Sequence, residues 1–254
     1  MPRDIAIISL ATLVAGVINS IAGGGTLLSF PALLWIGRNA IAANATNSVA
    51  LWPGSLAGAV GFRRELGGLP RWLLLLTIPA VVGGVIGALL LLHTPEKLFT
   101  RIVPWLILGA TLLLAAQELI SRWLRSFASS HERPARGWVV FAFTFQLLVA
   151  IYGGYFGAGQ GILMLAALGL IGLSDLHQMN GLKNVLAMCT NGVAAICFAI
   201  SGAVLWRDAA IMAVAAVLGG YLGARLARRL GRRFVRIAVV TIGLVMTVAL
   251  FVKR

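Results

Sequence analysis

Eight apolar runs, each long enough to cross a bilayer as a helix, constrain this chain more than any other feature. They cover residues 5–22, 40–62, 69–92, 98–121, 137–156, 180–202, 205–225 and 234–252, and a spanning helix needs about 20 consecutive, mostly apolar residues. Composition agrees. Of 254 residues, 60% are hydrophobic and 11% charged, whereas a soluble domain is about 25% charged, and no water-soluble core of this size could bury so much apolar surface. The expected fold class is all-α, a polytopic integral membrane protein with eight long transmembrane helices. Two further runs, Thr26 to Ile36 and Gln160 to Gly172, would rise only about 16 to 20 Å as helices against a hydrocarbon core of about 30 Å. They are expected to be half helices. The first run, preceded by Arg3, imitates a signal peptide, but its counterpart at residues 137–156 argues against cleavage.

That counterpart belongs to an internal repeat. Ile21 to Gly37 (IAGGGTLLSFPALLWIG) aligns with Phe156 to Gly172 (FGAGQGILMLAALGLIG) at an offset of 135, placing Gly24 on Gly159 and Gly37 on Gly172. After a two-residue adjustment Thr46-Asn47 falls on Lys183-Asn184; further on, Gly83 to Ala88 matches Gly219 to Ala224 and Phe99-Thr-Arg101 matches Phe234-Val-Arg236 at offsets of 136 and 135. The organisation read from this is a first transmembrane repeat over residues 1–121, a polar cytoplasmic linker over 122–136 and a second transmembrane repeat over 137–254. Internal repeats of this kind are typical of secondary transporters.

Charge decides how the halves are oriented. The net charge of +14 comes from basic residues clustered between apolar runs, the positive-inside pattern of a membrane protein facing anionic headgroups rather than a nucleic-acid surface. If each short run turns back beside the run before it, the 21 basic residues divide 14 to 7 across the membrane; if it merely completes that crossing, they divide 11 to 10. The bias favours inverted repeats, a cytoplasmic linker and both termini outside. The setting expected is a bacterial-type inner (plasma) membrane, crossed many times.

Polar residues at membrane depth mark the candidate site. Gly23, Gly24 and Gly25 precede the first short run, and Gly157, Gly159 and Gly161 hold the equivalent place in the second half. A helix broken within the bilayer is tolerated only where its backbone is buried in protein or lines a wet cavity, and helix amino termini favour anions. The amides near Thr26 and Gln160 are therefore expected to face a cavity. Close helix packing through small residues is the competing use of these glycines. Near the breaks lie Asn19, Asn44, Thr46 and Asn47 in the first half and Gln160, Asn180, Lys183, Asn184 and Asn191 in the second. Such residues are costly in a membrane unless paired or functional. Lys183 offers a positive charge near the second break, or else snorkels to the interface.

Absences narrow the chemistry. No carboxylate occupies the middle of an apolar run, which disfavours a cation pathway. There is no Walker sequence, no zinc-ligand cluster and no nucleophile with an obvious base, so neither an enzyme nor a cofactor or metal is expected. His93 and His131 are expected in loops; Asp175 with His177 is the one candidate proton-handling pair, a solvated loop pair being the commoner explanation. Cys189 and Cys197, eight apart on one helix, lie roughly 12 Å from each other and cannot bridge. The small-residue faces at Gly83, Gly84 and Gly87 and at Gly219, Gly220 and Gly223 are expected to pack within one protomer, a homo-oligomer remaining the other use.

Together, GVINSIAGGGTLLSFPALL, AIAANATNSVALWPGSLAG, YGGYFGAGQGILMLAALGLIGLSDLHQMNGLKNVLA and GAVLWRDAAIMAVAAVLGGYLGARLARR resemble the sulfite exporter TauE/SafE family of membrane permeases from about Ala15 to Arg236. The resemblance implies secondary transport of a small sulfur-containing or organic anion such as sulfite, sulfoacetate or another sulfonate, with the bilayer and that anion as the partners. An uncoupled anion channel, a membrane-embedded enzyme and a structural membrane protein are the readings set against it.

Overall fold

In the computed structural model the backbone is described for residues 2–21, 24–61, 71–128, 136–170, 173, 176–230 and 232–252. Among the described residues all regular structure is helical: α1 (Pro2–Ile21), α2 (Thr26–Trp35), α3 (Ala40–Gly61), α4 (Arg71–Leu74), α5 (Thr77–His93), α6 (Glu96–Ala128), α7 (Arg136–Tyr155), α8 (Gln160–Leu170), α9 (Leu176–Ile200), α10 (Trp206–Leu230) and α11 (Arg232–Val252). The two short runs are helices of 10 and 11 residues, which rise about 15 to 17 Å. Among the described residues, three stretches are by themselves long and apolar enough to cross a membrane, Pro2–Asn19, Glu96–Ile120 and Gln178–Ile200, against the eight expected; Thr77–His93, Val140–Tyr155 and Arg236–Val252 are apolar but shorter.

Local chemistry explains the boundaries. The run at 69–92 is split because Pro79 lies in the first turn of α5 and cannot donate to the Leu75 carbonyl four residues earlier; that carbonyl accepts instead from the amide of Ile78 at 3.0 Å, and Thr77 Oγ1 donates to Leu74 O at 2.7 Å. The start of α3 is capped twice, by Asn39 Oδ1 accepting from the amides of Ile41 and Ala42 and by Glu96 Oε1 accepting from the amide of Ala40 at 2.7 Å. Helix α6 continues to Ala128, into the stretch read as linker. His93 is the last residue of α5 rather than a loop residue, its ring bonded to Leu89 O at 2.8 Å; a polar residue next to Thr94 and Pro95 looks like loop in sequence, yet the helix extends one residue past the apolar run to include it. His131 lies outside the described residues.

Helices α1 and α2 form a hairpin. Gly24 takes a φ of 96° at the turn, a conformation L side chains rarely adopt, and Asp4 in the first turn of α1 lies within electrostatic reach of Arg38, just past α2. Gly157 and Gly159 (φ 77° and 76°) make the equivalent break between α7 and α8. The pairing of helices is reciprocal: α1 packs on α10 and α5 on α7, α3 on α10 and α9 on α5, α6 on α8 and α11 on α2, with α3 against α9 and α6 against α11. Small residues set the closest approaches. A β-carbon on Gly87 would collide with the Ile151 carbonyl, and one on Gly219 with the Leu13 carbonyl. Gly83 and Gly84 likewise meet α7 and α9 within the chain; the side-chain position of Gly223 is outside the described set.

Two apolar clusters fill the interior, one around Phe30, Phe99, Ile107 and Phe198, the other around Leu73, Leu76, Met164, Leu168 and Leu182. Large apolar side chains also face outward, among them Leu10, Trp105, Leu119, Leu148, Val214 and Val248. Exposed apolar surface on this scale needs a lipid solvent. Cys189 and Cys197 are free, half-buried thiols.

Candidate functional site

Where the two glycine breaks converge, the chain encloses a small, partly open cavity of about 40 Å³. Its wall comes from five helices and one break: Thr26 at the start of α2, Asn47, Ser48 and Leu51 on α3, Gly153 on α7, Phe156 and Gly157 in the second break, Gln160 at the start of α8 and Asn191 on α9. None of these residues is charged.

Hydrogen bonds hold the wall. Ser29 Oγ donates to Asn47 Oδ1 at 2.5 Å, fixing α2 to α3, and Gln160 Nε2 donates to Asn191 Oδ1 at 2.8 Å, fixing α8 to α9. Tyr152 OH donates to Ala158 O at 2.6 Å, steadying the second break. The first amides of the half helices are engaged locally: Leu27 to Gly24 O and Leu28 to Gly25 O at 3.0 Å, Gln160 to Gly157 O at 3.3 Å and Ile162 to Gly159 O at 3.0 Å. Tight turns satisfy these amides inside the chain, so side-chain amides and hydroxyls dominate the polar surface of the cavity.

Of the residues singled out in the sequence, Thr26, Asn47, Gly157, Gln160 and Asn191 line the cavity. Gly24, Gly25 and Gly159 shape the breaks behind it. Asn44 instead donates from Nδ2 to Tyr155 O at 3.0 Å, and Thr46 Oγ1 accepts from the amide of Leu205 at 2.9 Å; both tie α3 to neighbouring segments. Lys183 Nζ donates to Asn180 Oδ1 at 3.3 Å, and its aliphatic stem lies 3.4 Å from the β-carbon position of Gly161, so the lysine packs on the first turn of α8 without lining the cavity. Asn184 is half-buried away from the wall, and Asn19 is exposed. Gly23 and Asp175 lie outside the described residues, as does the side chain of His177 in the first turn of α9. Sequence reasoning passed over Ser48, Leu51, Gly153 and Phe156. The signal for Ser48 was its place beside Asn47; Gly153 leaves room for the Gln160 amide, since a β-carbon there would meet Gln160 Oε1 and push it aside.

Charge gathers near the helix ends. Arg38 Nε binds Asp208 Oδ2 at 2.7 Å, joining the α2–α3 connection to the start of α10, and Arg236 binds Glu118 between α11 and α6 at 2.5 Å. Among the described residues no group of three or more His, Cys, Asp or Glu side chains is placed to hold a metal.

A lipid-facing helical bundle, broken twice by glycine around a small neutral cavity, has the make-up of a multi-pass membrane transporter. The chain belongs to the sulfite exporter TauE/SafE family, whose model matches residues 8–250. It is 27% identical over 244 residues to a "Probable membrane transporter protein" of Haemophilus influenzae, covering 96% of this chain and 92% of that one. It is 28% identical over 251 residues to the "Probable membrane transporter protein YfcA" of Escherichia coli strain K12, covering 98% and 90%, and 28% identical over 247 residues to the "Probable membrane transporter protein ORF9" of a Sinorhizobium species, covering 97% and 92%. No solved structure matches. The family and these relatives are membrane transporters, not enzymes.

Proposed function

We propose that the chain is a secondary transporter that moves a small anion, a sulfur-containing oxyanion or organosulfonate such as sulfite or sulfoacetate, across a bacterial-type plasma membrane by alternating access. The observation that carries this reading is the cavity where Thr26 and Gln160, the first residues of both half helices, meet the amides of Asn47 and Asn191. Neutral donors suit a substrate that must also leave, and Lys183 of α9, packed on the first turn of α8, supplies positive potential nearby. With no nucleotide motif in the sequence, the proton gradient or membrane potential is the motive force, and Asp175 with His177 is the candidate for proton handling.

Two inverted repeats provide the moving parts. Supporting the duplication, Leu27 to Gly24 O and Ile162 to Gly159 O are equivalent bonds of 3.0 Å, and Arg38 to Leu33 O and Leu173 to Leu168 O, at 3.0 and 3.1 Å, are equivalent helix-ending bonds, all at the offset of 135. The reciprocal helix pairing supports it too. Supporting inversion, the Arg38 pair and the Glu96 cap gather the α2–α3, α5–α6 and α9–α10 connections at one end, as the division of basic residues requires. One repeat rocks against the other around the cavity.

The test is uptake of radiolabelled sulfite into proteoliposomes. Flux is expected to saturate, to accelerate when unlabelled sulfite is loaded on the far side, and to fall about tenfold in Asn47→Ala, which removes a buried amide, and in Lys183→Ala. Unsaturable flux without trans-acceleration would replace the carrier with a channel, and absence of flux for every sulfur oxyanion would overturn the anion assignment.

A further inference from the structure

The hydrogen-bond inventory of the cavity is uneven. Asn47 and Asn191 each commit their oxygen to a neighbour, Ser29 and Gln160 respectively, which leaves amide N–H donors for a ligand. Gln160 is the reverse: its Nε2 is spent on Asn191, and its Oε1 is buried without a partner beside Gly153, in a side chain only 6% exposed. Ser48, also in the wall, donates its proton to Asn44 O at 2.9 Å, so its hydroxyl oxygen is left as an acceptor. A buried acceptor left unmade costs its desolvation, so the ligand that fits brings a donor as well as oxyanion acceptors.

Size and charge narrow it further. About 40 Å³ is room for about three water molecules, a volume that suits a four-atom pyramidal ion. With no charged side chain in the wall, charge number matters: the Born cost of burying an ion rises as the square of its charge, so a dianion costs about four times what a monoanion does. We propose that Gln160 makes the site selective for a small protonated monoanion, accepting hydrogen sulfite in preference to the sulfite dianion. This rests on the anion-transport reading and deepens it, since the carried species then brings a proton with it. Gln160 is the specificity-determining residue, and Gly153 holds open the space its oxygen occupies.

Calorimetric titration of the full-length protein in detergent tests this with three probes: sulfite over a pH range spanning its second ionisation, chlorate as a pyramidal monoanion with no proton, and sulfate as a dianion. Affinity for total sulfite is expected to fall about tenfold per pH unit above that ionisation. Chlorate is expected to bind at least about tenfold more weakly than hydrogen sulfite, with no matching pH dependence, and sulfate more weakly still. Gln160→Met should bring hydrogen sulfite down toward chlorate. Sulfite affinity that is flat or rises with pH, or chlorate equal to hydrogen sulfite in the wild type, would overturn the proposal while leaving anion transport standing. Failure of all three anions to bind would overturn this proposal together with the inorganic-oxyanion form of the anion reading. If Gln160→Met does not fold, the wild-type pH profile and the chlorate comparison still decide.

Discussion

At the scale of single residues, the polar groups inside this chain divide into those that join helices and those that line the cavity, and hydrogen-bond partners tell them apart. Thr46 and Asn47 are adjacent on α3, yet Thr46 caps the approach to α10 while Asn47 is held by Ser29 at the cavity wall. Ser29→Ala should therefore slow transport without touching the cavity itself. Removing the hydroxyl leaves Asn47 Oδ1 to find another donor, and the expected loss is about 1 to 2 kcal/mol of stability with a several-fold fall in flux, read by thermal melting beside the uptake assay; unchanged flux would make that hydrogen bond incidental. The Arg38–Asp208 pair is asymmetric in burial, with side chains 37% and 7% exposed. Arg38→Gln strands a nearly buried carboxylate and is expected to cost about 1 to 3 kcal/mol, discounted for the exposed arginine, whereas the double variant Arg38→Gln with Asp208→Asn should recover part of that melting temperature. A double variant no more stable than the single one would assign the loss to packing.

Elements were the most legible level of the sequence, because apolar run length and glycine clusters are local signals. Seven of the eight long runs and both short ones each correspond to one helix, with α6 and α10 carrying on past the run ends into basic stretches, while the run at 69–92 is divided between α4 and α5. What sequence could not resolve was a neighbour's identity. Helical spacing places Asn44, Thr46 and Asn47 on α3 but does not say that Tyr155, Leu205 and Ser29 await them, so a whole amide-rich set read as site, and only part of it lines the cavity. The break before α5 was missed because an apolar run hides a proline in its first turn. The small-residue face of α10 tests how specific the helix contacts are. Gly219 meets the Leu13 carbonyl at the α1–α10 crossing, while a β-carbon on Gly220 would enter open space. Gly219→Ala is expected to destabilise by about 1 to 3 kcal/mol, and Gly220→Ala to be neutral or slightly stabilising within a helix, both measured by melting in detergent. Equal effects would mean that α1 and α10 are not packed as described.

At the scale of the whole molecule, the consequence with the widest reach is which helix connections share a side of the membrane. In an inverted arrangement each half helix returns to the side its preceding helix began from, so the α5–α6 and α9–α10 connections both lie outside and the stretch between α6 and α7 lies in the cytoplasm. If the short runs instead completed a crossing, the α5–α6 and α9–α10 connections would lie on opposite sides. Pro95 and Arg207 are exposed residues near these two connections, and Ser129 lies between α6 and α7. Single cysteines at the three positions, in a background where Cys189 and Cys197 are replaced by serine, can be probed with a membrane-impermeant maleimide. Labelling of Pro95→Cys and Arg207→Cys in intact cells, with Ser129→Cys reached only after permeabilisation, is the expected result, and labelling of Pro95→Cys and Arg207→Cys from opposite sides would sink inversion. The stakes are mechanistic: inversion would let one sequence motif, used twice, build a cavity that each half could close from its own side, so that under the proposed mechanism a single rocking motion would expose the same Asn47 and Gln160 first to one face and then to the other.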